Sequence, residues 1–406
     1  MKILIIGEKK YIGRHFSTIE KHFGSSLKFF EQYYPEAIIN EKPDLVIVPD
    51  EHWCELANIV SSCKKNNILT LQLMDGILEW RRTWEYTEKG HNIDGVINPL
   101  NQPVIAHKVA CIGARDYMII ESWGNIGKCE IVGIPRLKHI IGLRSDFSHL
   151  SKKKNKILVC TAKTPAFTAY QMDITRKSLR DIKQYFENRS DIEIIWRLTG
   201  TLSEELEIKN TLNDLNGLEI HKIIMDVDAV ITTPSTTLLE AMILKTPVAM
   251  LDYHNTPHYF QTAWCISSKD HIDSTIRELL APPINKLEFQ DFLLNDQLFI
   301  REDPTQRFIT LIERMLEFKN EPEHIPPSLL ENYASSTLIL KNDLGSYYPE
   351  ISWVDKLSRK ELQMEIASAR GTITVLEEKI FNLQSKLKLC LFYQLGKLLK
   401  NFIKKL

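Results

Sequence analysis

The amino-acid sequence predicts an α/β protein: two Rossmann-like domains of parallel strands and covering helices, followed by a C-terminal coiled-coil helix. Three observations carry this expectation. Short apolar runs alternate with amphipathic stretches over roughly the first 320 residues, the pattern of parallel sheets buried on both faces. A polar, lysine-rich stretch at 148–156 divides that series into two halves. Beyond residue 358 the apolar spacing changes to alternating steps of four and three.

In the first half, apolar runs at 2–6, 45–48, 68–73, 95–98, 109–112 and 130–132 are the expected strands, and Gly133-Ile134-Pro135 closes the series. A second series runs through 157–161, 193–198, 229–232 and 248–251. The expected organisation is therefore a domain at 1–150, a second at 151–320, a linker and returning segment at 321–358, and a coiled coil with a basic tail at 359–406. The linker assignment rests on the three prolines within 321–327 and the turn-rich stretch at 342–352. In the last segment Leu362, Ile366, Ala369, Ile373, Leu376, Ile380, Leu383, Leu387 and Cys390 follow the a/d seam of a coiled coil. The seam is narrow, with Glu, Lys, Gln and Ser on the other faces, so a homo-oligomer is favoured over a helix folded back on the globular part. From Lys379 to Leu406 there are seven lysines and no acid. Interleaved with Leu398, Leu399, Phe402 and Ile403, they make the tail a candidate for peripheral contact with an anionic membrane, a continued coil being the alternative.

Charge and cysteine usage narrow the class. The 406 residues carry 51 basic and 52 acidic side chains, which excludes a globally basic nucleic-acid binder. No apolar run reaches the roughly 18 residues of a membrane span, and the chain enters an apolar strand at once without a signal-peptide cleavage region. Seven scattered cysteines with no Cys-x-x-Cys pair read as reduced core residues, so a cytoplasmic protein is expected.

Candidate chemistry lies after the strands, because ligands of open α/β sheets bind beyond the strands' carboxyl ends. The first turn, Gly7-Glu8-Lys9-Lys10-Tyr11-Ile12-Gly13, matches neither the dinucleotide fingerprint nor a P-loop. The most informative stretch is Thr232-Thr233-Pro234-Ser235-Thr236-Thr237, where a buried strand runs into a helix. Its hydroxyls and free N–H groups suit a phosphate, with Thr233, Ser235, Thr236 and Thr237 as donor-binding candidates. Glu240, one turn further, is placed to accept from ribose hydroxyls. The competing reading is a capping box with Glu240 at its third position.

Asp226-x-Asp228 precedes its strand and so reads as surface carboxylates; no other acidic cluster has ligand spacing, and neither a metal nor another cofactor is expected. The loop from Asp252 to Tyr259 offers His254 as a phosphate ligand and His258 as a proton donor to a leaving oxygen. Thr161 and Lys163 follow the first strand of the second half and Arg197 ends its second, all facing the same crevice. In the first half the strand at 68–73 runs into Asp75-Gly76, where glycine allows a sharp turn. Asp75, with Glu79 beyond it, is the candidate catalytic acid, and Trp80, Arg81 and Trp84 offer stacking and anion contacts for a sugar. The alternative for Trp80 and Trp84, one helical turn apart, is packing on the core.

The acid-Gly motif, the Ser/Thr strand–helix loop and the following Lys245-Thr-Pro-Val-Ala-Met-Leu251 resemble those of GT-B glycosyltransferases over about residues 1–320. The similarity is greatest to bacterial β-Kdo transferases of capsule and O-antigen (lipopolysaccharide) assembly, and to some sialyltransferases. That resemblance implies that 1–150 is the acceptor side and 151–320 the nucleotide-sugar side. It implies CMP-Kdo as donor and a surface glycan as acceptor, with the CMP phosphate on Thr233–Thr237. Asp75 would be the catalytic carboxylate, acting as a nucleophile with net retention or as a base with inversion; the resemblance favours the first. A His-Pro pair common after a second-half strand is absent, with Trp196-Arg197-Leu198 in its place. The alternatives are a transferase using a UDP- or GDP-sugar, CMP-sialic acid or CDP-glycerol, and a non-catalytic coiled-coil scaffold.

Overall fold

The structure, a computed structural model, describes residues 1–332 apart from 52–53, 86–90, 94–95, 145–154, 188, 210, 213–218 and 255. The chain divides into two units, Met1–Leu338 and Ile339–Leu406. The expected coiled coil, basic tail and most of the linker at 321–358 lie outside the described residues, as does most of the stretch at 148–156.

The first sheet contains β1 (Ile3–Ile6), β2 (Leu27–Phe30), β3 (Leu45–Val48), β4 (Leu69–Leu73), β7 (Lys108–Cys111) and β8 (Cys129–Ile131); a separate antiparallel hairpin contains β5 (His91–Ile93) and β6 (Val96–Asn98). The six strands are all parallel, in the order β2-β1-β3-β4-β7-β8. The second sheet is formed by β9 (Lys156–Cys160), β10 (Glu193–Arg197), β11 (Ala229–Thr232), β12 (Val248–Leu251) and β13 (Trp264–Ile266), parallel in the order β10-β9-β11-β12-β13. These are the two Rossmann-like sheets of a GT-B arrangement. In both sheets the chain order reverses beside the first strand, which opens a crevice at the strands' carboxyl ends.

Every residue of β1, β3, β4, β7, β11 and β12 is buried, because helices cover both faces. One hydrophobic core runs from the first sheet (Leu4, Val46, Val109) to the second (Leu158, Val230, Met250) through Leu238 and Met242. The run at 95–98, expected as a member of the first series, instead pairs with 91–93 in the hairpin.

After the second sheet the chain returns to the first, and the return begins ahead of the proline-rich stretch. Phe299 N–H donates to the Ile112 carbonyl at 2.8 Å. Gly113 makes this approach possible, since a Cβ there would sit 2.4 Å from the Gln297 carbonyl oxygen. Asp303 caps the helix Pro304–Leu316 by accepting from the N–H groups of Thr305 and Gln306. That helix packs on the helix Lys9–Phe23, with the Phe16 and Phe308 rings 6.4 Å apart. Leu329 and Leu330 then donate their N–H groups to Glu130. The fully buried Lys108 pairs with the same carboxylate at 2.8 Å and also donates to the Gly127 and Pro327 carbonyls.

Candidate active site

Asp75 follows β4 and its backbone turns directly under the loop after β11. A Cβ on Gly76 would lie 3.2 Å from Thr236 Oγ1. Gly76 is not in the left-handed region where glycine is favoured; the close approach of Thr236, and not a sharp turn, is what calls for glycine here. The acid-Gly motif of one half and the Ser/Thr loop of the other are thus in contact.

Around this contact cations converge. Arg136, in the short turn Pro135–Leu137 after β8, reaches Glu240 Oε1 at 3.2 Å and the Asp75 carbonyl at 3.4 Å. His15, buried in the helix after β1, places Nε2 3.1 Å from Asp75 Oδ2 and 3.1 Å from Arg14 Nε. Burial, reinforced by Arg14, Arg136 and Lys163 and opposed by Asp75, lowers its pKa to about 4, so the ring is neutral at pH 7. The Asp75 carboxylate is 39% exposed against 7% for His15, which leaves it open to a ligand. The Arg14 guanidinium is pushed below its ordinary range, first by burial and then by the neighbouring Arg136 charge, with Arg197 adding to it. Four cations therefore share one field: Arg14, Arg136, Lys163 and Arg197. Within it Arg136 Nε, Arg197 Nε, His15 Nδ1 and Glu240 Oε2 are buried without a hydrogen-bond partner, the condition of groups that await a ligand.

The hydroxyl-rich loops divide their work. Thr161 Oγ1 accepts from Thr199 N–H at 2.9 Å, and Thr233 Oγ1 accepts from Ala162 N–H at 2.8 Å. These two buried side chains tie the loops after β9, β10 and β11 together. Thr232 Oγ1 donates to the Thr233 carbonyl and lies 3.2 Å from Ser235 Oγ. Ser235, Thr236 and Thr237 are half-buried at the start of the helix Thr237–Ile243. The Thr236 side chain makes no cap hydrogen bond, and Glu240 pairs across to Arg136. The capping-box arrangement is therefore absent. Asp226 and Asp228 bind Lys156, through its ammonium and its backbone N–H respectively, as surface carboxylates do.

Glu79 and His258 occupy a second cluster. Arg81, 2% exposed, is held by Glu79 and reaches the Pro165 carbonyl. Burial raises the Glu79 carboxyl to about 7 against the pull of Arg81. His258 Nε2 lies 2.9 Å from Asp252 Oδ2, and His254 donates its backbone N–H to Asp252 Oδ1 at 3.0 Å. Burial and then Arg81 lower His254 to about 4; its ring approaches Thr175 Oγ1 at 3.4 Å. Arg81 is thus engaged internally. Trp80 and Trp84 pack with Trp123 and Tyr259 into one aromatic cluster, and Trp84 Nε1–H donates to Tyr259 Oη at 2.6 Å.

The sequence reading missed Arg14, His15 and Arg136. The available signal was position: Arg14-His15 follows Gly13 in the second turn of the helix Lys9–Phe23, and Arg136 directly follows the Gly-Ile-Pro turn.

Among known proteins, no family model and no curated sequence matches the chain. Solved structures do match. A variant of the wall teichoic acid polymerase TagF soaked with CDPG superposes with a TM-score of 0.54 at 12% identity, over 79% of this chain and 90% of that one. The S. aureus MnaA–UDP structure gives a TM-score of 0.55 at 12% identity, over 79% of this chain and 98% of that one. At such identities the likeness is one of fold, and it is the two-sheet fold described above.

Proposed function

We propose that the protein is a glycosyltransferase that draws on a nucleotide-activated donor, with CMP-Kdo as the donor and a bacterial surface polysaccharide as the acceptor. The observation that carries the proposal is the accessible Asp75 carboxylate, next in the chain to the Gly76 backbone that meets Thr236, in the field of Arg14, Arg136, Lys163 and Arg197. A Kdo donor presents two anions, the sugar carboxylate and the phosphate leaving group, and a cation-lined cleft suits both.

In this reading the Arg and Lys side chains, with Ser235, Thr236 and Thr237, bind the phosphate and stabilise it as it departs. Asp75 attacks the anomeric carbon as the bond to CMP breaks; the acceptor hydroxyl then displaces the carboxylate, its proton passing to the departed CMP phosphate, with net retention. The neutral His15 ring, whose Nε2 accepts from Arg14 Nε–H and lies 3.1 Å from Asp75 Oδ2, holds Arg14 beside the carboxylate. A CDP- or UDP-activated donor is the second reading, favoured by the fold shared with TagF soaked with CDPG and with MnaA–UDP.

Thermal-shift titration with CMP, CDP, UDP and GDP discriminates the donors, and CMP is expected to give the largest rise. Asp75→Asn, supplied with CMP-Kdo and a glycan acceptor, is expected to lose turnover by at least about 10³-fold. Undiminished turnover in that variant would remove Asp75 from the chemistry.

A further inference from the structure

We propose that His139, Glu219 and His221 form a binding site for a divalent transition-metal ion of the zinc class, which staples the two halves together beside the donor cleft. One candidate ligand atom from each lies within 4.8 Å of the other two. His139 comes from the short helix Lys138–Ile141 of the first half, whereas His221 opens the helix Ile220–Met225 of the second and Glu219 precedes it. The two imidazole rings are 5.0 Å apart and edge-to-face, and His221 Nε2 lies 3.4 Å from Glu219 Oε2.

Three features favour a metal over a mere contact. Two imidazoles and one carboxylate are the donor set of zinc sites that keep a fourth position open, and imidazole selects zinc-class ions over magnesium or calcium. His139 Nδ1 lies 3.1 Å from the Arg136 carbonyl oxygen. That carbonyl accepts a hydrogen bond from Nδ1–H, which fixes the tautomer and leaves the Nε2 lone pair for a ligand. His221 is held in place by burial, with 6% of its side chain exposed, while His139 and Glu219 are exposed and free to close on it. Tetrahedral zinc needs ligand atoms about 3.3 Å apart; His221 Nε2 and Glu219 Oε2 already stand at 3.4 Å, and a small shift of the exposed His139 ring, kept on the Arg136 carbonyl, completes the site. Lys222 Nζ, 3.9 Å from Glu219 Oε2 on the exposed side, is displaced by the ion.

The consequence follows from position. His139 is three residues from Arg136, the residue that joins Glu240 to the Asp75 turn. An ion on His139 and His221 ties that turn to the second half directly. Metal binding itself does not depend on the reaction proposed above, and its test needs no substrate.

The full chain, stripped with a chelator and dialysed, is titrated with Co²⁺ while the visible spectrum is recorded. The expected result is one ion per chain with a ligand-field band of nitrogen and oxygen coordination, bleached by Zn²⁺, and a rise in Tm with Zn²⁺. His139→Ala, at an exposed position, is expected to keep its circular dichroism and weaken binding at least about 100-fold; Glu219→Gln is expected to weaken it as well. Absence of a band in the wild type overturns the site, as does binding that survives His139→Ala, for instance on cysteine thiolates. Binding without a rise in Tm overturns the staple.

Discussion

Gly76→Ala tests whether the contact between the acid-Gly motif and the Ser/Thr loop holds the halves in register. The new Cβ would meet Thr236 Oγ1 at 3.2 Å, whereas ordinary contacts lie between 3.4 and 4 Å. The neighbour must retreat by a few tenths of an ångström. Thr236 cannot do so freely, because its β-branched side chain has few rotamers and its backbone opens the helix Thr237–Ile243. Overpacking of this kind costs about 1–3 kcal/mol, and a shortfall so small belongs at the lower end, about 1 kcal/mol. Urea unfolding of wild type, Gly76→Ala, Thr236→Ala and the double variant reads this as a coupling energy. In the Thr236→Ala background the obstructing oxygen is gone, and the penalty of Gly76→Ala is expected to vanish. Nucleotide affinity follows the same logic: about 1 kcal/mol corresponds to roughly a fivefold loss, restored in part in the double variant. An equal penalty in both backgrounds would refute the contact.

Two further predictions concern the frame around the site. Lys108→Met leaves the buried Glu130 carboxylate without its cation, held only by the Leu329 and Leu330 N–H groups and the Asn332 amide, and is expected to destabilise the protein by about 3 kcal/mol, with Lys108→Met/Glu130→Gln recovering part of the loss in urea unfolding. Asp116 is buried, its Oδ2 has no partner, and burial raises its carboxyl to about 8. The folded state therefore holds a proton that the unfolded chain releases near pH 4, and the Asp116 contribution to stability falls as pH rises from about 4 to 8 by about 1.4 kcal/mol per unit, beside a contribution of the same sign from Glu79. Asp116→Asn is expected to remove that slope, read as Tm against pH; an unchanged slope would show that Asp116 ionises freely in the fold.

The strands that were most legible in the sequence are the ones buried on both faces. β1, β3 and β12 appear as uninterrupted apolar runs because helices cover them on each side, and β4, β7 and β11 remain mostly apolar although they bury Thr70 and Gln72, Lys108, and Thr232. Of the four edge strands, β8 and β10 were legible at 130–132 and 193–198, but two gave no such signal: β2 carries the exposed Lys28 and half-exposed phenylalanines, and β13 has three residues. The apolar run at 95–98 lacks any mark that separates a hairpin strand from a sheet strand. In the site, Asp75, Thr236 and Glu240 were legible because each follows a recognisable strand. Arg14 and His15 were not, since a polar pair within a helix carries no periodic signature. Burial of His15 beside Asp75 is a tertiary fact, created when the helix after β1 packs across the end of β4.

The hydroxyl-rich stretch shows why composition alone overcounts a site. Five hydroxyls in six residues suggested a phosphate cradle, yet Thr233, with Thr161 from the loop after β9, is consumed in joining three loops, and Thr232 turns back onto its own loop. The consumed hydroxyls still matter to binding. Each buried hydrogen bond removes a freedom that Ser235, Thr236 and Thr237 would otherwise surrender when a ligand arrives. Arg136 is fixed in the same way, by Glu240 on one side and the Asp75 carbonyl on the other. A cleft whose cations and hydroxyls are held before the ligand enters stabilises developing charge without reorganising during the reaction. On the proposed reading the tying threonines are positioning residues. Replacing Thr161 or Thr233 by valine should weaken nucleotide binding even though neither hydroxyl is free to touch the ligand.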